Sequence, residues 1–418
     1  MNAGAKRGRV LGWSEEAFRS RPIRATIAAA RCTPSAHCTA TRLMPAAGQR
    51  SGRWSANSVD RARGDPEGDG VGAPFRIGFS HDFLAADGRI GFGNIGLDRL
   101  EAAPGVEVVF LSESVAEIQP EVVRDLDVLA LLGSKVTART VSGADRLALI
   151  ARFGVGYDNI DVDACTEQGV LVSITPEATR RPMATTVLTF LLALSHRLME
   201  KDRLTRAGRW AEKRNYMGYG LTDRTLGSIG LGTIGREIVA LTRPLTMKHI
   251  GYDPYLRPDV AAELGVTLVA LDTLIARSDY ITINCALTPE TFHLFDERRI
   301  GLMKPTAFLI NTARGPIVDQ RALTTALQER RIAGAALDVF ETEPIDPNDP
   351  ILELDNVIVA PHALCWTDDW ALLTGESVID AILAVASGQP PQFVVNKAAI
   401  ESPQVQQKLA RFAGGGKA

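Results

Sequence analysis

A chain of 418 residues is long enough for two domains of ordinary size. Its apolar fraction of 45% and charged fraction of 23% are those of a globular protein, not of a membrane protein or a wholly disordered one. The small formal charge of −3 argues against a body built for general nucleic-acid binding.

That charge is unevenly spread. Residues 1–74 hold twelve Lys/Arg against six Asp/Glu, a surplus of +6, and the rest of the chain holds 34 against 43, a deficit of −9. The first stretch is rich in Arg, Ala, Ser and Gly without a sustained apolar period, the composition of a disordered extension. Two other readings compete with it. One is a transit peptide, against which Glu15 and Glu16 count. The other is a nucleic-acid-binding arm, against which the scatter of the basic residues counts. Five cysteines (Cys32, Cys38, Cys165, Cys285, Cys365) are odd in number and form no Cys-x-x-Cys pair. No disulfide framework or metal site is indicated, and a reducing cytoplasm suits them. The most apolar run, Met183 to Ser195, contains three threonines and is too short to span a bilayer.

Order is expected to begin at Phe75, where Phe75 to Phe79 reads as a strand. Val106–Leu111, Asp127–Leu132, Leu147–Arg152 and Val170–Ile174 are further strands, with helical patterns between them. A long apolar helix over Pro182–Met199 leads into a polar stretch ending near Gly220. A second alternating run follows, with strands at Thr225–Ile229, Lys248–Tyr252, Tyr280–Asn284, Ala307–Asn311, Ala335–Asp338 and Val357–Ala360. Asp272 is expected as an N-cap before Thr273-Leu274-Ile275. Such alternation predicts an α/β fold of two doubly wound parallel sheets, each with helices on both faces.

The second run opens with Gly230-Leu231-Gly232-Thr233-Ile234-Gly235 between a strand and a helix, and that helix stops before Pro244. Gly230 suits a tight turn, Gly232 lets backbone approach a pyrophosphate, and Gly235 lets the helix pack closely on the sheet. The helix N-terminus then faces the anion. Asp253 lies eighteen residues beyond Gly235 and ends the next strand, where a carboxylate grips a ribose 2′-hydroxyl and disfavours a 2′-phosphate. The expected cofactor is therefore NAD.

Ligands in such sheets lie beyond the carboxyl ends of the strands, which directs attention to Asp253, Cys285, Thr312-Ala313-Arg314, Asp338 and Pro361-His362. Arg314 is either a solvated cap or a bidentate anchor for a carboxylate. His362 is either a structural histidine or a group that gives and takes a proton near neutral pH. Glu343 is either solvent-facing or the partner that fixes the imidazole tautomer and favours its cation. Their shared position beyond strand ends of one sheet favours the second reading in each case.

These segments resemble the D-2-hydroxyacid dehydrogenases, specifically the glyoxylate/hydroxypyruvate reductase and phosphoglycerate dehydrogenase kin. The resemblance covers about Phe75 to Asn396. It rests on the run Gly154-Val155-Gly156-Tyr157-Asp158-Asn159-Ile160-Asp161, the glycine fingerprint, Asn311-Thr312-Ala313-Arg314-Gly315, the run from Ala336 to Pro344, and Pro361-His362, in the family's order. It implies Arg314, Glu343 and His362 as catalytic residues, with the backbone N–H groups of Val155 and Gly156 holding the substrate carboxylate. It implies cofactor contacts from Gly230, Gly232, Thr233, Ile234, Gly235, Asp253, Cys285, Thr312, Ala313, Asp338 and His362, Asp338 meeting the nicotinamide carboxamide. It also implies a homodimer joined through the cofactor domains and an active site in an interdomain cleft.

The expected division is an extension over 1–74, a substrate domain over 75–178 completed by 364–400, an NAD domain over 179–363 and a flexible tail over 401–418. The chain departs from the family at Ala363-Leu364-Cys365-Trp366, where small residues are usual, and at Met183-Ala184-Thr185. Trp366 and Trp370 either line the site or simply pack, with packing favoured. Arg180 and Arg181 either meet an acidic substrate or stay solvated, with the solvated pair favoured. The expected activity is interconversion of a small D-2-hydroxy acid and its 2-oxo acid, with no nucleic-acid or membrane partner. The alternatives are an NAD-sensing corepressor-like protein, against which the Arg–Glu–His set counts, and a phosphoglycerate dehydrogenase, against which the short C-terminus counts. Formate oxidation fits less well, since it needs no proton transfer.

Overall fold

The structure, a computed structural model, describes residues 73–413. The expected N-terminal extension, apart from its last two residues, and the last five residues lie outside that range.

Five strands, β1 (Phe75–Phe79), β2 (Val106–Phe110), β3 (Val128–Leu131), β4 (Leu149–Arg152) and β5 (Leu171–Ser173), form a parallel sheet in the order β2-β1-β3-β4-β5. Seven more, β6 (Thr225–Ile229), β7 (Lys248–Tyr252), β8 (Thr267–Leu268), β9 (Tyr280–Ile283), β10 (Phe308–Asn311), β11 (Gly334–Leu337) and β12 (Val357–Val359), form a second. Its order is β12-β11-β10-β9-β6-β7-β8, again all parallel. The near-continuous Val, Ile, Leu and Ala runs of β3, β9 and β11 are the pattern of strands covered on both faces, and all three are buried throughout.

In each sheet the chain moves outward on one side of the first strand and then crosses to the other. The reversal lies between β6 and β9 in the second sheet and between β1 and β3 in the first. The registers Ile229↔Tyr252, Ile229↔Ile283, Asn311↔Ile283, Asn311↔Leu337 and Leu337↔Val359 level the carboxyl ends of six strands into one edge. Every expected site residue from Gly230 onward follows that edge.

The helix Pro176–His196 joins the two lobes. Met183 packs on the core around β1, whereas Ala184, Val187 and Leu191 share a core with Leu226, Tyr280 and Ile310 of the second sheet. Helix Asp368–Ala386 returns to the first lobe, where Trp370, Ile379 and Ile382 pack with Phe75, Ile77 and Phe79. No described helix is long and apolar enough to cross a membrane.

Four expectations need correction. The long apolar helix starts at Pro176, six residues early, and breaks at Arg197, whose φ of +52° ends it before a second helix over Leu198–Arg206. Pro182 is inside the first helix, and the Thr185 and Thr186 hydroxyls donate to its carbonyl. Asp272 is not an N-cap. Ala270 holds that position, and the Asp272 carboxylate instead takes Arg298 at 2.8 Å and Arg299 at 3.1 Å. The edge strand β8, only two residues long, was not foreseen.

The fourth correction concerns the tail over 401–418. Pro403–Ala410 is a helix capped by the Ser402 side chain. Its Val405 and Leu409 are buried in the first core, and Phe412 stands edge-on to Phe75 at 4.8 Å. Lys408 is also buried, its ammonium donating to the carbonyls of Ala144, Leu147 and Gln168. Burial, the dominant cause, pushes that ammonium down to about 8. Apolar residues three and four apart gave the segment a buried face that a compositional reading passed over. Leu409→Ala should therefore lower unfolding stability by about 2–5 kcal/mol, read as a shift in urea midpoint. A change within experimental error would mean that the helix is undocked in solution.

Candidate functional site

The fingerprint turn is built as its glycines require. Gly230 has φ +86°, and a Cβ there would sit 2.9 Å from the backbone of Asn284 and Cys285, at the reversal between β6 and β9. A Cβ on Gly235 would lie 2.3 Å from the Gly230 carbonyl, so the helix Thr233–Thr242 packs tightly only with glycine there. The N–H groups of that helix's first turn have no intrahelical acceptors. They open on a cavity of about 420 Å³ lined by Gly232, Thr233 and Arg236 together with Glu177, Arg180 and Glu237. A cavity at a helix N-terminus suits a pyrophosphate in placement, the helix N–H groups supplying the donors.

Asp253 braces this turn. One carboxylate oxygen accepts from Leu231 N–H at 2.8 Å and the other from Tyr255 N–H at 2.9 Å. Ile234 is half-buried at the start of the helix. Burial, with the Asp253 charge adding to it, pushes the Cys285 thiol up to about 11, so it is a neutral neighbour of the site and no nucleophile.

Arg180 and Arg181 are exposed, as the solvated reading holds, and both are also ion-paired. Arg181 meets Glu237 at 2.9 Å and Arg180 meets the same carboxylate at 3.3 Å, and Glu237 is only 7% exposed. They tie the interlobe helix to the fingerprint helix.

The turn after β10 carries Arg314. Asn311 shapes it, accepting from Ala313 N–H at 3.1 Å and donating to the Arg314 carbonyl at 2.9 Å. Thr312 is buried beside it. Gly315 then lies so close to the next loop that a Cβ would fall 1.8 Å from the Phe340 carbonyl oxygen. This contact presses the Arg314 turn against the loop holding Glu343. Glu343 accepts from Phe340 N–H at 2.9 Å, and its other oxygen lies 2.7 Å from Nδ1 of His362. With Nδ1 engaged, Nε2 is the nitrogen left for chemistry. Glu341 of the same loop forms a second couple, its carboxylate 2.7 Å from Nε2 of His293 in the segment after β9, which the sequence reading did not single out.

Burial would raise the Glu343 carboxyl. The His362 hydrogen bond, the Phe340 N–H and the positive charges of His362 and Arg314 outweigh it, and the group ends below its ordinary range. Glu343 thus bonds His362 directly and lies within the electrostatic reach of Arg314, whose own hydrogen bonds go elsewhere. His362 itself has φ +56°, a left-handed conformation that costs a non-glycine residue about 1 kcal/mol. Asp338 holds the chain there, since its carboxylate accepts from the N–H groups of Ala363 at 3.1 Å and Leu364 at 3.2 Å. Asp338 is 1% exposed, and burial, the leading cause, raises its pKa. Asp338 thus has a bracing role that sequence did not show.

Opposite this edge stands the loop after β4. Neither Val155 nor Gly156 donates its backbone N–H to any described residue, while the Gly156 carbonyl accepts from Arg152 at 2.9 Å. Arg152 also donates to the Phe153 carbonyl. Burial first, and the Arg314 charge second, push Arg152 down to about 10. Arg314 reaches the same loop from the other lobe, donating to Asp158 from Nε and Nη2 at 2.8 Å and to its own Ala313 carbonyl from Nη1. A Cβ on Gly156 would overlap the Arg314 guanidinium. Asp158 and Arg152 were missed as site residues, although Arg152 ends β4 and satisfies the strand-end rule that flagged the others.

The family model described as D-isomer specific 2-hydroxyacid dehydrogenase, NAD binding domain, matches residues 188–363. A glyoxylate reductase of Korarchaeum cryptofilum is 39% identical over 285 residues, covering 67% of this chain and 86% of that protein. The chain belongs to the D-2-hydroxyacid dehydrogenase family. It is an NAD-dependent oxidoreductase of that family. A D-3-phosphoglycerate dehydrogenase of Methanocaldococcus jannaschii is 40% identical over 70% of this chain, which spans 55% of that relative's length. A D-lactate dehydrogenase of Aquifex aeolicus, solved with NAD and lactic acid, is 29% identical, with a TM-score of 0.67 over 76% of this chain and 98% of that one.

The Glu343–His362 couple gives a pH signature. A carboxyl held below its ordinary pKa of about 4.3 stabilises the fold above that value, and the contribution is lost as pH falls through the depressed one. The stability gap between the wild type and Glu343→Gln should therefore be widest near neutral pH and close as pH drops below about 4.3, followed by urea midpoints. A gap that does not change with pH would show that Glu343 is not held as an anion by its neighbours.

Proposed function

We propose that this dehydrogenase interconverts a small D-2-hydroxy acid and its 2-oxo acid, of the glyoxylate–hydroxypyruvate type, with Arg314, Glu343 and His362 as the working groups. The observation that carries the reading is the 2.7 Å His362–Glu343 couple on a carboxylate that also feels Arg314, opposite two unengaged backbone N–H groups.

In reduction, the Val155 and Gly156 N–H groups and the Arg314 guanidinium hold the substrate carboxylate. Arg314 already has a carboxylate at its fork, that of Asp158, which orients it across the cleft. Its charge also polarises the adjacent carbonyl. When bound, NADH supplies the hydride that reaches C2. His362, protonated, gives its Nε2 proton to the carbonyl oxygen, and Glu343 steadies the imidazolium and fixes which nitrogen faces the substrate. Oxidation runs through the same groups with His362 as base. Gly232, Thr233 and Ile234 hold the pyrophosphate, Asp253 the adenosine ribose, and Cys285, Thr312, Ala313, Asp338 and His362 flank the cofactor. Closure of the lobes excludes water.

The glyoxylate reductase among the similar proteins supports the small substrate, and the phosphoglycerate dehydrogenase keeps a phosphorylated acid as the second reading. We place the enzyme in the cytoplasm as a homodimer, for which sedimentation at twice the chain mass is the check. The domain limits proposed are 75–178 with 364–400 for the substrate lobe, extended by the docked helix Pro403–Ala410, and 179–363 for the NAD lobe.

His362→Ala should cut kcat for glyoxylate reduction by at least about 10²-fold while NADH binding, followed by fluorescence, holds. Loss of both together contradicts the assigned role. Asp253→Ala should weaken NADH more than NADPH, and an unaltered preference between them would remove Asp253 from cofactor selection.

A further inference from the structure

We propose that Trp366 is a fixed wall of the pocket receiving the substituent on C2, and that it restricts the substrate to a small side chain. The inference rests on the dehydrogenase reading above, because that reading puts a 2-oxo acid beside His362.

C2 of a 2-oxo acid is trigonal. Once its carboxylate is held at Val155, Gly156 and Arg314 and its oxygen at His362, the direction of the third substituent is determined. A chain of aromatic rings links the segments that carry these two anchors. Trp366 comes four residues after His362, in a turn closed by its own N–H on the Ala363 carbonyl at 2.9 Å and pinned by Asp338. Its indole stacks on Trp370 at 5.6 Å and 10°, and meets the edge of Phe92 at 4.8 Å. Both of those rings lean on Phe153, at 5.3 Å and 6.0 Å, and Phe153 immediately precedes Gly154-Val155-Gly156. A continuous aromatic ledge thus runs from the His362 turn to the carboxylate loop.

Within that ledge the two tryptophans differ. Trp370 is 4% exposed and is core packing, whereas Trp366 is 48% exposed and presents indole surface. Trp366 has little freedom to withdraw. Turning the ring would break its contacts with both Trp370 and Phe92, and moving the backbone would pull Ala363 and Leu364 off Asp338. A large ring held in this way leaves room for the hydrogen of glyoxylate or the hydroxymethyl of hydroxypyruvate, and obstructs a branched or aromatic side chain.

The test is kcat/KM with NADH for glyoxylate, hydroxypyruvate, pyruvate, 2-oxoisocaproate and phenylpyruvate, in the wild type, Trp366→Phe and Trp366→Ala. In the wild type the values should fall steeply with side-chain size. Trp366→Ala should raise the phenylpyruvate-to-glyoxylate ratio by about tenfold or more, chiefly through KM, with Trp366→Phe between. About tenfold is the minimum worth of one methylene in a pocket, and here several carbons are admitted at once. A thermal midpoint and NADH affinity close to those of the wild type separate this effect from general damage. An unmoved ratio overturns the wall while leaving the dehydrogenase reading standing. So does a wild type that prefers the bulky acids and loses that preference in Trp366→Ala, since the indole would then be a platform. Wild-type enzyme that reduces none of the five acids overturns the dehydrogenase reading and the wall together.

Discussion

The approach of Gly315 to the Phe340–Glu341 peptide is the contact on which the candidate site depends. A single methyl group at residue 315 would overlap the Phe340 carbonyl, so this is backbone packed on backbone with nothing between. The turn that carries Arg314 is thereby seated on the loop that carries Glu343, and Glu343 in turn holds His362. Three groups separated by up to 48 positions in the chain share one electrostatic neighbourhood because two turns interlock. The levelled carboxyl edge of β6, β7, β9, β10, β11 and β12 supplies the platform, and the glycine removes the last obstacle.

Polar links join the segments of the two lobes at two places. Arg314 bonds Asp158 across the cleft, and Arg180 and Arg181 clamp Glu237 between the interlobe helix and the fingerprint helix. The loop after β4 is gripped from both sides, by Arg152 through its carbonyls and by Arg314 against Gly156. That grip leaves the Val155 and Gly156 N–H groups unengaged.

Much of this was legible in the sequence because the physics is local. The fingerprint glycines, the β strands of both sheets except β8 to within a residue or two, and the strand-end positions of Asp253, Arg314, Asp338 and His362 all follow from turn chemistry and apolar runs. What escaped was set by contacts between distant segments. Asp272 looked like a cap because its partners, Arg298 and Arg299, lie in another helix. The ion pairing of the exposed Arg180 and Arg181 was not legible because Glu237 is nearly sixty residues away. The helix Pro403–Ala410 looked like a tail because its buried face is complete only against Phe75 and the first sheet. The bracing of His362 by Asp338 depends on a left-handed residue that no local pattern announces.

Membership of the D-2-hydroxyacid dehydrogenases fixes the class of reaction, and the site geometry narrows which groups carry it out. The central claim is that Arg314 with the Val155–Gly156 peptides takes a carboxylate while His362 faces the neighbouring oxygen. The most direct measurement is a crystal structure of the enzyme with NADH and oxamate, an unreactive analogue of a 2-oxo acid. The account predicts the oxamate carboxylate on the Arg314 guanidinium and the Val155 and Gly156 N–H groups, with its amide oxygen within hydrogen-bond reach of His362 Nε2. A carboxylate bound elsewhere in the cleft, or a His362 turned away from the analogue, would contradict it.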